Sequence, residues 1–277
     1  MHHVQDQAPW HVFDTVFGGW DVPLGPTLFT VAGHEVRLTK FMLLEVLAAV
    51  LIVLIYVPLC RRAAKGELPR GPWWNAFESL LTFVRNEIAR PTLGGHHPEE
   101  ADKFVPYLWT VFLFILFCNL MGLIPILGSP TASIWVTAGL ALCSFILMHG
   151  APIAKMGPVH YLKSLWPHID VPYIGWLFSL MIFVIEQFGT VVKSFVLAVR
   201  LFANMFGGHM VLATILIFIY QVGVSGGFSA LWVGVTLASV LGNTALCLLE
   251  LLVALIQAYV FTFLTALFMG MALNPEH

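Results

Sequence analysis

Apolar residues run along this chain in long blocks separated by short polar stretches. The first block is Phe41 to Leu59, closed by Pro58 and the basic residues Arg61, Arg62 and Lys65. The second spans residues 105–127 and the third 132–154, joined by the turn Gly128-Ser129-Pro130-Thr131. Two further blocks, 174–222 and 229–272, hold 49 and 44 residues, broken only by isolated polar groups. An apolar run of about 18 residues suffices to suggest a membrane-spanning helix. The last two blocks, as helices, would be roughly 70 Å long against a hydrocarbon core of about 30 Å. Each therefore either folds into two spans or forms one long, strongly tilted helix. Gly223-Val224-Ser225-Gly226-Gly227 would join them as a helical hairpin.

Residues 73–90 read differently. Trp73, Trp74, Phe77, Leu80, Leu81, Val84 and Ile88 form one apolar stripe, with Asn75, Glu78, Arg85 and Glu87 largely elsewhere. This predicts an amphipathic helix on the membrane surface, or a helix packed within a loop. Residues 1–40 carry Asp6, Asp14 and Asp21 among aromatics, without the basic start and short apolar core of a signal peptide. They are expected to be a retained extramembrane segment, with residues 41–277 forming a single membrane domain.

Composition agrees with the pattern. Of 277 residues, 59% are hydrophobic and 10% charged, against about 25% charged in soluble domains. The mean hydropathy is +0.87. The alternating segments of about ten residues that mark a β-barrel are absent. The expected fold is an all-α integral membrane protein with about five membrane helices. A net charge of −2 gives no basic footprint for nucleic acid. Cys60, Cys118, Cys143 and Cys247 lie in or beside apolar runs and read as small hydrophobes. Gly95-His96-His97 with Glu99 and Glu100 reads as a solvated loop rather than a metal site, and no cofactor is expected. Of the thirteen Lys and Arg, seven lie in loop 60–103 and two in 155–173, while the turns at 128–131 and 223–228 hold none. The basic loops are expected to face the cytoplasm, leaving the N-terminus outside and the C-terminus inside.

Among the few ionisable groups inside the spans are Glu45, Glu186, Lys193, Arg200, His209 and Glu250. An intramembrane charge is costly and marks a functional position by default. Arg200 stays protonated at any accessible pH. It cannot relay protons by titrating, but it can hold a fixed positive charge where a partner's carboxylate ionises. The plainer alternative is an internal brace to Glu186 or Glu250. Glu186, Lys193 and Arg200 are spaced by seven and share a helix face, which Asn204 extends. His209 points to roughly the opposite side, after Gly207-Gly208. Glu250 and Gln257 are again seven apart. In a hairpin, Glu250 could approach His209 and Gln257 could approach Arg200. Histidine and carboxylates are the usual members of a membrane proton relay.

These residues carry a resemblance. Ala198-Val199-Arg200-Leu201-Phe202-Ala203-Asn204-Met205-Phe206-Gly207-Gly208-His209 resembles the signature helix of the F-type ATP synthase subunit a family. The segment from Glu250 through Gln257 to Thr265 resembles that family's last helix, and Phe117-Cys118-Asn119 through Pro125 an earlier one. The resemblance implies two long, tilted helices curving along a rotating ring of c subunits. It implies that Arg200 faces the ring with Gln257 beside it. It also implies that His209 and Glu250 line an outer half-channel and Glu186 an inner one. Asn204 follows as a further translocation residue, with Lys193 and Asn119 as secondary candidates. Many bacterial members have Glu on the first helix and His on the last; this chain has the reverse, the mitochondrial pattern. The implied partners are the c-ring, the b subunits of the peripheral stalk, the rest of the complex and the lipid bilayer, in a bacterial inner membrane. The subunit would be non-catalytic. A secondary transporter would instead show inverted repeats and Gly- or Pro-broken helices. An intramembrane enzyme would show a clustered nucleophile or metal set.

Overall fold

The computed structural model describes residues 29–31, 34–36, 40–65, 71–93, 101–124, 129–159, 161, 166, 175–226 and 230–273. The metal-like His96–Glu100 stretch and most of the N-terminal segment lie outside them. A short antiparallel ribbon pairs β1 (Phe29–Val31) with β2 (His34–Val36). The rest is helical: α1 (Lys40–Ala64), α2 (Pro72–Phe83), a π-helical turn (Val84–Ala89), α3 (Arg90–Leu93), α4 (Val105–Gly122), α5 (Ile134–Met156), α6 (Gly175–Gly226) and α7 (Ala230–Leu273). Among the described residues, five helices are long and apolar enough to cross a membrane. The protein is an all-α membrane protein.

The two long apolar blocks are each one continuous helix, α6 of 52 residues and α7 of 44. Nothing inside either breaks it, since the chain has no proline between Pro172 and Pro275. Helix α6 runs on to Gly226, through most of the stretch that the glycines at 223, 226 and 227 mark as a loop. Helix α1 likewise continues past Pro58 to Ala64. A proline forfeits one backbone bond, and flanking helix of high propensity carries the chain through it. Threonine hydroxyls in these helices bond back to the carbonyl four residues earlier, as Thr190 does to Glu186, Thr214 to Met210, Thr262 to Ala258 and Thr265 to Phe261. Hydrocarbon offers them no other acceptor.

The chain forms two compact units, and every long helix contributes to both. The division falls after Ile55 in α1, Phe112 in α4, Val136 in α5, Arg200 in α6 and Gln257 in α7. In the first unit, Phe41, Leu44 and Ala48 of α1 pack on Cys118 and Met121 of α4. Glu45 sits half-buried beside that seam. All four cysteines are free thiols, Cys118 alone buried.

In the second unit the amphipathic segment is pinned down along its length. Tyr56 packs on Phe77, Arg62 lies over Trp74, and Phe83 meets both Phe112 and Tyr259. Trp109 Nε1 donates to the Leu81 carbonyl at 2.8 Å. Of the apolar stripe read from the sequence, Val84 and Ile88 are fully covered, Trp74, Phe77, Leu80 and Leu81 are half-buried, and Trp73 is exposed. Its π-turn has a local cause. Pro91 cannot donate to Glu87, and its ring crowds that carbonyl, so the turn before it widens. The Arg90 N–H accordingly bonds five residues back, to Arg85, and the Thr92 hydroxyl takes the Ile88 carbonyl. Opposite, Gly270 admits the Thr92 carbonyl so closely that a Cβ there would collide with it.

Arg85 Nε and Nη2 grip Asp102 Oδ1 and Oδ2 at 3.0 and 2.5 Å, and Arg90 reaches Oδ2 at 3.5 Å. The hydrogen bonds from Arg85 hold the Asp102 carboxyl down at about 2. A carboxyl lowered on folding contributes stability above its ordinary value, about 3.9, and loses it as pH falls toward the folded value. Asp102→Asn should therefore lower the thermal midpoint of the solubilised protein at neutral pH. The gap from wild type should close as pH is taken from about 4 toward about 2. A constant gap across that range would mean the carboxylate's charge is not what matters.

Candidate functional site

The first unit brings three helices together around a set of polar side chains. Helices α6 and α7 run antiparallel: Asn204 meets Gln257, Met205 packs with Ala254, Gly208 meets Glu250 and Gly223 meets Trp232. Small residues at the crossing let the backbones approach, which is how helices associate where no hydrophobic force drives them together. Asn204 Nδ2 donates to Gln257 Oε1 at 3.0 Å. Gln257 is buried, and its own Nε2 has no hydrogen-bond partner among the described residues.

Glu250 is 8% exposed, an unusual place for a carboxyl. Its side chain lies across Gly208, where a Cβ would fall on Oε1 and stand 3.0 Å from Cδ. Gly208 is thus a vacancy that the Glu250 carboxyl fills. The next residue, His209, turns the other way, toward α4. A Cβ at Gly122 would lie 3.2 Å from His209 Nε2 and 3.0 Å from Ser129 Oγ. The Ser129 hydroxyl is 2.6 Å from Thr131 Oγ1, which donates to Asn119 Oδ1 at 2.6 Å. Asn119, Ser129 and Thr131 are all buried, and Asn119 Nδ2 has no partner among the described residues. An imidazole, two hydroxyls and an amide with an open donor therefore gather beside α4, and a carboxyl and two further amides at the α6–α7 crossing.

The second unit holds Glu186, Lys193 and Arg200, all exposed on α6 at their spacing of seven. Lys193 Nζ lies 4.9 Å over the Phe268 ring of α7, a cation–π contact that keeps the ammonium on this face. Among the described residues the ion pairs join Arg85 and Arg90 to Asp102, and none joins Arg200 to Glu186. Among the described residues no group of three or more His, Cys, Asp or Glu is placed to hold a metal ion.

Three contributors escaped the sequence reading. Gly122 matters for the volume it leaves empty, and Ser129 and Thr131 lie on a turn that reads as a simple connection. Asn243 is a fourth: it lies seven residues before Glu250, and its buried Oδ1 has no partner among the described residues. That heptad spacing, continuing the one from Glu250 to Gln257, was a legible signal.

Five membrane helices and an intramembrane set of titratable and amide side chains on an antiparallel helix pair define a polytopic membrane protein with a polar interior. Comparison with known proteins is specific. Residues 42–270 match the family model described as ATP synthase A chain. ATP synthase subunit a of Myxococcus xanthus is 36% identical over 98% of this chain and 88% of its own length. ATP synthase subunit a 2 of Chlorobaculum tepidum is 35% identical over 98% and 72%, and subunit a of Chloroherpeton thalassium 34% over 100% and 77%. The chain belongs to the ATP synthase A chain family.

Gly208→Ala should displace the Glu250 carboxyl and destabilise the protein by about 1–3 kcal/mol, the ordinary cost of overpacking. Adding Glu250→Ala should recover most of that loss, with a coupling above about 0.5 kcal/mol in thermal or denaturant unfolding. Strict additivity would mean the two positions do not share that space.

Proposed function

We propose that this chain is the stationary proton-channel subunit of a rotary F-type ATP synthase, non-catalytic itself. It would load and unload protons on carboxylates of a neighbouring ring of c subunits. The observation that carries the reading is the antiparallel pairing of α6 and α7, which keeps Asn204, Gln257, Glu250 and Gly208 together. The helix that carries Arg200 also carries His209, and both lie within the matched region.

The physics of such a device is simple. A ring carboxylate must be neutral to face lipid, because a charge in hydrocarbon is costly. In this reading a proton enters from outside past His209 and Glu250 and neutralises it. Asn119, Ser129 and Thr131 offer polar partners along the way. The ring turns, the carboxyl returns from the other side, releases its proton toward Glu186 and pairs with Arg200. The guanidinium repels a proton attempting to pass directly between the two paths. A 100 mV potential supplies about 2.3 kcal/mol for each charge that crosses. Asn204 and Gln257 restrain each other beside this route, and the Gln257 Nε2 donor remains for the passing carboxyl.

The surface of the long helices fits a rolling partner. Phe188, Phe195, Leu237, Leu241, Leu248 and Leu252 are large, apolar and exposed, suited to lipid and to an apolar ring. The b subunits of a peripheral stalk and the rest of the complex follow as partners. We place the N-terminus outside a bacterial inner membrane and the C-terminus in the cytoplasm. The basic residues of loops 60–103 and 155–173 support that orientation.

The deciding experiment is Arg200→Ala in the assembled complex in membrane vesicles, with ATP-driven pumping and passive proton leak recorded together. Pumping should fall to background with assembly intact, and leak should rise. Normal pumping would remove Arg200 from the mechanism. In the same vesicles Gln257→Leu should slow pumping without raising the leak to the Arg200→Ala level, since the fixed charge remains.

A further inference from the structure

The second unit contains a titratable pair that the reading above leaves unused. His149, on α5, and Tyr161, beyond its end, meet with Nδ1 and the hydroxyl oxygen 2.6 Å apart. Their rings are T-shaped at 6.1 Å, and Phe145, one turn earlier on α5, packs edge-on against the imidazole at 4.5 Å. Tyr161 is 4% exposed. The contact depends on how α5 ends. Gly157 has φ +80, a left-handed conformation that favours glycine, and its N–H closes on the Ile153 carbonyl at 2.8 Å. The chain then winds one more turn, with the Tyr161 N–H bonded to the Gly157 carbonyl, which brings the phenol back alongside His149.

The segment that follows lies against α6. Trp166 packs on Phe183 with ring centres 5.8 Å apart. Phe183 and Glu186 are three residues apart and share a helix face. Burial first, and the negative charge of Glu186 second, raise the Tyr161 hydroxyl above its ordinary value. Lys155 and Lys163 bracket the same region in sequence.

We propose that Tyr161 and His149 are the proton-carrying pair that links Glu186 to water on the side of the basic loops, an inference that rests on the proposed role of Glu186. Protonated Glu186 gives its proton, directly or through a water molecule, to the Tyr161 oxygen as the phenol's own proton passes to His149 Nδ1. The imidazolium so formed releases its Nε2 proton to water. The carboxyl O–H is broken, one O–H is exchanged at the phenol, and one proton reaches solvent. Glu186 is left as carboxylate, with Tyr161 and His149 neutral; exchange of the ring protons with water restores the starting tautomer. The same steps in reverse load Glu186. A neutral phenol is suited to this task because it carries a proton through a buried position without holding a charge there.

The test uses the assembled complex in membrane vesicles, with ATP-driven pumping compared among Tyr161→Phe, His149→Ala, their combination and Glu186→Gln. Tyr161→Phe removes a single oxygen atom and should slow pumping about tenfold, at the low end of what a positioned proton carrier contributes. His149→Ala should slow it similarly and recover when millimolar imidazole is supplied, which a packing defect would not do. The combination should be no slower than either alone, because the two act in series. Wild-type pumping in Tyr161→Phe, or a His149→Ala defect that imidazole leaves unchanged in intact complex, would overturn the pair. Slow Glu186→Gln beside wild-type Tyr161→Phe would overturn the pair and leave Glu186 in place. Normal pumping by Glu186→Gln would overturn both.

Discussion

Hydrocarbon offers a peptide N–H or C=O nothing to bond with, and the rest of this structure follows from that constraint. The backbone must satisfy itself, so every apolar block becomes a helix, including the two of 52 and 44 residues. Once the backbone is a helix, its side chains stand at fixed intervals. Polar groups spaced by seven share a face whether or not anything else holds them there. The same constraint governs hydroxyls, which turn back onto their own helix. A titratable group survives only where packing, a partner or a polar lining receives it.

Two glycines show how such groups are received. Glu250 occupies the space that Gly208 leaves on α6, and His209 and Ser129 approach the space that Gly122 leaves on α4. A glycine in a helix interior costs about 1 kcal/mol relative to alanine. Here that cost creates room for a carboxyl and an imidazole to enter a helix crossing. Consecutive residues 208 and 209 thereby serve opposite directions, one making space for α7 and the other reaching toward α4. A substitution that is mild by chemistry, glycine to alanine, would drive the Glu250 carboxyl from its place at Gly208 and press on Ser129 Cβ at Gly122.

The second unit solves a different problem, joining amphipathic and membrane helices firmly. The Tyr56–Phe77 and Phe83–Phe112 ring contacts, the Trp109 bond to the Leu81 carbonyl and the Arg85–Asp102 grip all involve the segment from α2 to α4. The π-turn before Pro91 rotates the end of that segment so that Thr92 can close on Gly270. The end of α5 carries the His149–Tyr161 pair, and the first half of α6 carries the exposed Glu186, Lys193 and Arg200. This unit thus combines rigid attachment with the chain's accessible charges.

The sequence by itself determined the helical blocks and the residues worth watching, because hydrophobic length and helical spacing are local properties. The continuity of α6 and α7 was open at that level: length allowed two spans each or one, and glycines at 223, 226 and 227 looked like an ending. The backbone's need to bond to itself, with no proline to interrupt it, carried α6 through to Gly226. Heptad spacing placed Glu186, Lys193 and Arg200 on one face and Glu250 in line with Gln257. It said nothing of Asn204 bonding Gln257, nor of the hydroxyl chain from Ser129 through Thr131 to Asn119. A Gly-Gly pair before His209 suggested close approach, but only the antiparallel register of α7 assigned Gly208 to Glu250. Likewise, nothing local joins His149 to Tyr161 until the left-handed Gly157 turns the chain. What a residue is follows from the sequence, and what it touches depends on helices brought together from distant parts of the chain.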